Sequence, residues 1–209
     1  MARYTGPVCK LCRREGVKLF LKGEKCYTKC VFEKRPTPPG PPKKKLRSKM
    51  TEYAVRLREK QKLRRMVGVT ETPFRRVYGQ AAASPTNTGE EFLRLLEVRL
   101  DNVVRRMGFS SSLKTARQMV LHGHIKVNGK TVNIPSFSVD VEDTIALDPR
   151  MKENLIVKVG LQSATRRSGR PSFLAFNEAE MSGQLLRWPT RQEMTFPVQE
   201  HLIVEHYSK

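Results

Sequence analysis

Acidic residues are scarce in this chain. It has 20 Asp and Glu against 40 Lys and Arg, a formal net charge of +20 over 209 residues and a pI near 10.3. Such an excess calls for a polyanionic partner. A membrane surface is also polyanionic, but no unbroken apolar run of about 18 residues occurs and no signal peptide is recognisable. The expectation is therefore nucleic acid and no membrane. There is no glycine-rich phosphate loop of the nucleotide-hydrolase type. The four histidines (His122, His124, His201 and His206) lack any serine–acid or metal-type constellation. These absences argue against an enzyme and against a small-molecule substrate.

Charge and cysteine are concentrated at one end. Residues 1–80 hold 23 Lys/Arg and 6 Asp/Glu, whereas residues 81–209 hold 17 and 14. The N-terminal part is thus the main electrostatic arm. All four cysteines lie within the first 30 residues, as C-x2-C (Cys9, Cys12) and C-x3-C (Cys26, Cys30). Two close thiol pairs across a loop can surround one metal ion tetrahedrally, and a short segment with few apolar residues needs such a staple. The expected group is one structural zinc; an iron–sulfur cluster uses the same ligands. Two disulfides would suit an exported protein, and unliganded thiols are the plain alternative.

The stretch KRPTPPGPPKKKLRSK follows, with six Pro or Gly in sixteen positions and a basic cluster of Lys43, Lys44, Lys45, Arg47 and Lys49. It reads as an extended tether that can lie along phosphates. SKMTEYAVRLREKQKLRRMVG reads as a helix capped by Ser48 or Thr51 and ended by Gly68. Its apolar face is narrow. Arg56, Arg58, Lys60, Lys62, Arg64 and Arg65 cover the rest, against Glu52 and Glu59 alone as acids of the same helix. That imbalance favours an RNA-facing helix over a merely solvated one, which normally mixes signs. On this reading Arg64→Glu with Arg65→Glu weakens RNA binding and leaves the fold intact. Thr72-Pro73 starts another helix carrying Arg75, Arg76 and Tyr78. The tyrosine suits either base stacking or the core. Thr88 with Glu91 forms a capping box for the next helix.

Residues 99–135, RLDNVVRRMGFSSSLKTARQMVLHGHIKVNGKTVNIP, read as two short helices and a hairpin. Leu96, Leu100, Val103, Val104 and Met107 share a helical stripe, which Gly108 ends. Ser110, Ser111 and Ser112 cap a second helix from Leu113 to His122. Ile125 and Val127 form a strand, Asn128-Gly129 the tight turn and Val132 and Ile134 the return strand. Arg99, Arg105, Arg106, Lys114, Arg117, Lys126 and Lys130 lie off the apolar stripe. A serine-bearing helix start among cations is a natural phosphate seat; an ordinary solvated helix–turn–helix is the alternative. Further on, residues 144–147 read as a third strand and residues 155–161 as another. The segment FLAFNEAEMSGQLLRW stays unassigned, and the C-terminal stretch is a strand or a short helix.

RLDNVV, RMGF and TARQMVLHGHIKVNGKTVNIP resemble the S-four RNA-binding module, which also occurs in pseudouridine synthases and tyrosyl-tRNA synthetases. Four blocks in order extend the likeness over nearly the whole chain: MARYTGPVCKLCRREG, KLRRMVGVTETPFRRVYGQA, NTGEEFLRLLEVRLDNVVRRMGF and EHLIVEHYSK. They resemble the bacterial ribosomal protein four family of the small subunit. The resemblance implies an α+β chain: a helical domain with an inserted module of two short helices and a small antiparallel sheet. The zinc-knuckle arm rests on the cysteine spacing, since many members lack the thiols. The expected division is 1–41 for arm and linker, 42–91 with 187–209 for the helical domain, and 92–186 for the module. The resemblance further implies a structural, cytoplasmic ribosomal protein that grips the 5′ domain of small-subunit ribosomal RNA and nucleates assembly. It also implies contact with small-subunit protein five, a place near the messenger RNA entry channel and an effect on decoding accuracy. The expected RNA contacts are Lys43, Lys44, Lys45, Arg47, Arg56, Arg58, Lys62, Arg64, Arg65, Arg75, Arg76, Arg99, Arg105, Ser110, Ser111, Ser112, Lys114, Arg117, Lys126, Asn128 and Lys130. Two rivals fare worse. An RNA-modifying enzyme would need a further catalytic domain, and a zinc-containing DNA regulator a recognition helix and a dimer surface.

Overall fold

A computed structural model describes residues 4–41, 50–167 and 169–208. The chain forms two compact units: residues 1–92 with 196–209, and residues 93–195.

In the first unit, α1 (Cys9–Glu15), α2 (Lys25–Thr28) and α3 (Val31–Lys34) precede α4 (Glu52–Met66) and α5 (Glu71–Ala82). The Thr51 hydroxyl caps α4 by accepting from the Ala54 N–H at 3.3 Å. Leu63 and Val67 of this region, and Phe74 and Ala81 of α5, are buried. The C-terminal helix α10 (Glu200–Tyr207) packs on α4. Tyr207 stacks on Tyr78 at 4.5 Å, and Tyr78 meets Phe92 edge-on at 5.6 Å. Tyr78 is therefore committed to an internal aromatic cluster. Such pairs add roughly 1 kcal/mol beyond the area they bury.

The zinc-knuckle arm expected from the cysteine spacing is not what the structure contains. Among the described residues, no group of three or more His, Cys, Asp or Glu side chains is placed to hold a metal ion. The expectations of zinc and of an iron–sulfur cluster are both overturned. All four cysteines are free, and they line a small cavity with Lys22, Lys25, Lys29, Val31 and Phe32. Spacing fixes which thiols come near one another, not where their sulfurs point. The Cys26 sulfur accepts from the Lys22 N–H at 3.3 Å. Burial pushes the Cys12 and Cys26 thiols up, toward the neutral form, so they pack as small apolar side chains. The arm is held otherwise: Val8 and Leu19 are buried, Phe20 stacks on Tyr27 at 4.8 Å and Lys18 pairs with Glu33.

Between the units the chain runs through α6 (Thr88–Glu97). Asn87, not Thr88, caps it, accepting from the Gly89 N–H at 2.9 Å. The second unit contains α7 (Leu100–Met107), α8 (Leu113–Leu121), β1 (Ile125–Val127), β2 (Lys130–Thr131), β3 (Thr144–Leu147), α9 (Leu155–Arg167), β4 (Leu174–Asn177) and β5 (Ser182–Leu185). The strands form one antiparallel sheet in the order β2-β1-β3-β5-β4. Its core joins Leu100, Val103, Val104 and Met107 to Met119, Val120, Ile125, Ile145, Phe173 and Leu185.

Three local expectations change. The stripe from Leu96 to Met107 is broken at Val98 and Arg99, where Arg99 is extended and bridges Ser138. The return strand is short, and Ile134 lies exposed beyond it. Residues 155–161 are helical, not a strand. Asn154 caps them, accepting from the Ile156 N–H at 2.9 Å, and Val157, Gly160 and Leu161 face inward at helical spacing. A Cβ at Gly160 would lie 2.6 Å from the Gly108 carbonyl oxygen. Only glycine lets α9 approach the α7–α8 turn this closely.

Candidate nucleic-acid interface

The basic face of α4 is not bare. Arg56 pairs with Glu52 at 2.9 Å and with Glu205 of α10 at 2.7 Å. Lys60 and Arg64 share Glu71, at 2.7 and 3.3 Å. Lys62 meets Glu59 at 2.7 Å. Arg58 reaches Glu15 of α1 at 3.3 Å, and Arg65 pairs with the same carboxylate. The Glu15 side chain is 1% exposed. Burial outweighs both arginines and pushes its carboxyl up. Burial would also raise Glu71, but hydrogen bonds from Lys60 and Tyr207 more than offset it, and the carboxyl lies below its ordinary range. Tyr207 is in turn pushed up by burial and by Glu71.

Three of these acids, Glu15, Glu71 and Glu205, arrive from other helices, so counting charges along α4 missed them. A guanidinium has five donors in a planar fork. One held by a carboxylate on one edge is oriented, and can still present its other edge to a phosphate. Arg75 and Arg76 on α5 are exposed, and neither forms an ion pair among the described residues. Lys43, Lys44, Lys45 and Arg47 lie outside the described residues.

In the second unit the predicted cations divide into two groups. Arg99 and Arg117 are 6% and 7% exposed. Both point at the buried Asp101 carboxylate: Arg99 through Nε at 3.2 Å and Nη2 at 3.1 Å, Arg117 through Nη1 at 3.1 Å. They tie α7 to α8 from inside. Arg105 donates to the Asn102 amide oxygen at 3.3 Å. Arg106 sits on Glu97, which also accepts from Asn102 at 2.9 Å. By contrast, Lys114 on α8, Lys126 on β1 and Lys130 on β2 form no ion pair among the described residues. Lys114 and Lys130 are exposed, and Lys126 is partly so.

The serine turn is built differently from the expected phosphate seat. Ser110 and Ser112 are buried. The Ser110 hydroxyl donates to the Ser112 carbonyl at 2.9 Å, and the Ser112 hydroxyl oxygen caps α8 by accepting from the Thr115 N–H at 3.3 Å. Ser111 alone of the three is partly exposed. Asn128 is a latch: with φ at 50° and Gly129 at 77° it makes the tight turn, and its amide donates to Asp143 at 2.7 Å while accepting from the Thr144 N–H at 2.9 Å. These residues shape the surface on which Lys126 and Lys130 stand.

Two family models match in tandem. "Ribosomal protein S4/S9 N-terminal domain" covers residues 3–97, and "S4 domain" covers residues 98–145. Over the full length of both chains, the sequence is 48% identical to small ribosomal subunit protein uS4 of Thermus thermophilus. The chain belongs to the uS4 family. Its likeness to uS4A of Symbiobacterium thermophilum is 53%, and to uS4 of Caldicellulosiruptor saccharolyticus 50%, again over the whole of each chain. The matches span the hairpin and the C-terminal helix as well as the rest of the chain. No helix among the described residues is long and apolar enough to cross a membrane.

Proposed function

We propose that this chain is a structural, non-enzymatic constituent of the small ribosomal subunit, located in the cytoplasm, that binds small-subunit ribosomal RNA and takes part in subunit assembly. The observation that carries the reading is full-length identity of about half to proteins named for the small ribosomal subunit. It is joined to the cations Lys114, Lys126 and Lys130, which no carboxylate among the described residues neutralises. Affinity then comes from neutralising phosphates and releasing counterions. Selectivity comes from shape and backbone, because A-form grooves hide base sequence.

Within this reading, Arg75, Arg76, Lys114, Lys126 and Lys130 make ionic contacts directly. Arg56, Arg58, Lys62, Arg64 and Arg65 present the donor edges that their carboxylates leave over. Arg99, Arg105, Arg117, Ser110, Ser112 and Asn128 act by holding the surface in shape. Ser111 borders it, and the cluster of Lys43, Lys44, Lys45 and Arg47 adds phosphate contacts. The RNA site is a multi-helix junction in the 5′ domain. Small-subunit protein five and messenger RNA near its entry channel are the neighbours, and decoding accuracy depends on that placement. These finer assignments follow from the resemblance in sequence.

The test is binding of the purified chain to small-subunit ribosomal RNA at near-physiological salt, against excess transfer RNA and duplex DNA. Binding that survives both competitors is expected. Loss to either would reduce the +20 charge to a generic polyanion clamp.

A further inference from the structure

The hairpin turn carries a chemical liability that its geometry restrains. Asn128 and Gly129 are both exposed. In an asparagine followed by glycine, the main chain can attack the asparagine side chain. The Gly129 nitrogen gives up its proton and bonds to the Asn128 side-chain carbonyl carbon, ammonia leaves, and a five-membered succinimide results. Water then opens the ring at either carbonyl, giving aspartate or isoaspartate. Glycine favours the attack because no Cβ hinders it. The turn adds no obstacle of its own: even a Cβ built at Gly129 would meet nothing within 4 Å.

The restraint lies in the asparagine side chain. Its amide nitrogen donates to Asp143 Oδ1 at 2.7 Å, and its amide oxygen accepts from the Thr144 N–H at 2.9 Å. The Asn128 N–H donates in turn to the Thr144 carbonyl at 2.9 Å. Asp143 is itself held. Its Oδ2 accepts from the Asp140 N–H at 2.9 Å, and its own N–H donates to the Asp140 carbonyl at 3.2 Å. The departing nitrogen is therefore tied to a fixed carboxylate, the stronger kind of hydrogen bond.

We infer that Asn128 is a deamidation site held in check by Asp143, and that its conversion to aspartate or isoaspartate loosens the hairpin turn and weakens the grip of Lys126 and Lys130 on RNA. The second half rests on the RNA-binding reading above. In the product an oxygen stands where the amide nitrogen was, facing Asp143, so that an attraction becomes a repulsion between like charges. Isoaspartate goes further. It puts an extra methylene into the main chain, which a two-residue turn pairing Val127 with Lys130 cannot absorb. The new anion also falls between Lys126 and Lys130 in the chain, and offsets part of the charge they offer to phosphates.

The two halves are tested separately. Folded full-length chains are incubated at mildly alkaline pH without RNA, and conversion at Asn128 is followed by peptide mass spectrometry. Asp143→Ala removes the acceptor and should deamidate roughly tenfold faster than the wild type, whereas Asp143→Asn keeps an oxygen acceptor and should stay closer to it. The wild type in denaturant gives the unrestrained rate, and circular dichroism checks that the variants are folded. An Asp143→Ala rate at or below that of the wild type would mean that the carboxylate does not restrain the step, and would overturn the proposal. So would a folded wild type that reacts as fast as the denatured chain. In filter binding to small-subunit ribosomal RNA, Asn128→Asp should lose a few-fold in affinity. Adding Asp143→Asn restores an amide–carboxylate pair with the roles exchanged, and should recover part of the loss. Unchanged affinity of Asn128→Asp would overturn the second half. Failure of the wild-type chain to bind RNA would overturn the RNA-binding reading and the second half with it, while the deamidation rates still decide the first.

Discussion

The basic helix of the first unit and the lysines of α8 and the hairpin in the second carry the same kind of residue in opposite states. On α4, Arg56, Arg58, Lys60, Lys62, Arg64 and Arg65 each meet a carboxylate. Lys114, Lys126 and Lys130 meet none among the described residues. Cations of the first kind join elements: Glu15 ties α1 to α4, Glu71 ties α5 to it and Glu205 ties α10 to it. On the proposed reading, cations of the second kind are the ones whose counterions RNA displaces. The number of Lys and Arg on an element therefore does not measure the charge it offers to a ligand.

Variants that break the pairs should separate these roles. The largest effect is expected from Arg64→Glu with Arg65→Glu. The Arg65 side chain is 18% exposed and faces a buried Glu15, and Arg64 faces Glu71. Reversal sets like charges together and should cost about 3–5 kcal/mol, seen as a fall in the denaturation midpoint. The expectation from sequence that this variant leaves the fold intact is thereby withdrawn. Asp101→Asn comes next. It leaves Arg99 and Arg117 buried without their shared anion, and a loss of about 3 kcal/mol is expected by the same measurement. Lys114→Gln, on an exposed residue, should change stability by no more than about 0.5 kcal/mol.

Glu15→Gln tests the comparison from the other side, by freeing Arg58 and Arg65. Affinity for duplex DNA should rise by a few-fold with a steeper salt slope, so that α4 begins to act like the hairpin. A flatter slope would mean those arginines bind only when held. The smallest effect concerns acid. The Glu71 carboxyl is held below its ordinary value, so its contribution to stability is present above about pH 4.5, the unfolded value, and is lost as pH falls through its lower folded value. Glu71→Gln should flatten that acid limb in thermal unfolding followed against pH. Glu15, pushed up by burial, works in the opposite direction and blunts the wild-type limb.

What was legible in the sequence was local. Asn128-Gly129 demands positive φ at both turn positions and has it. Thr51 and Ser112 cap the helices that they precede. Gly108 ends α7 in the left-handed region. What was not legible depends on residues far apart in the chain. The β-branched run at residues 155–159 resembles a strand, and only the surface it packs against makes it helical. The hairpin of β4 and β5 hides in a mixed segment because Gly183 and Gln184 interrupt its alternation. The cysteine spacing suggested a zinc site, whereas Cys12, Cys26 and Cys30 are buried and Cys9 half-buried beside lysines without forming one. The pairing of α4 depends on Glu15 and Glu205, which no window on that helix contains.

The most direct measurement is the salt dependence of small-subunit ribosomal RNA binding by the wild-type chain and by the triple variant Lys114→Gln, Lys126→Gln, Lys130→Gln. If these unpaired lysines supply the ionic grip, the slope of log affinity against log salt should flatten by about 2, at up to roughly 0.7–0.9 for each lost phosphate contact. Stability should change little. A slope identical to that of the wild type would contradict the assignment of RNA binding to this surface.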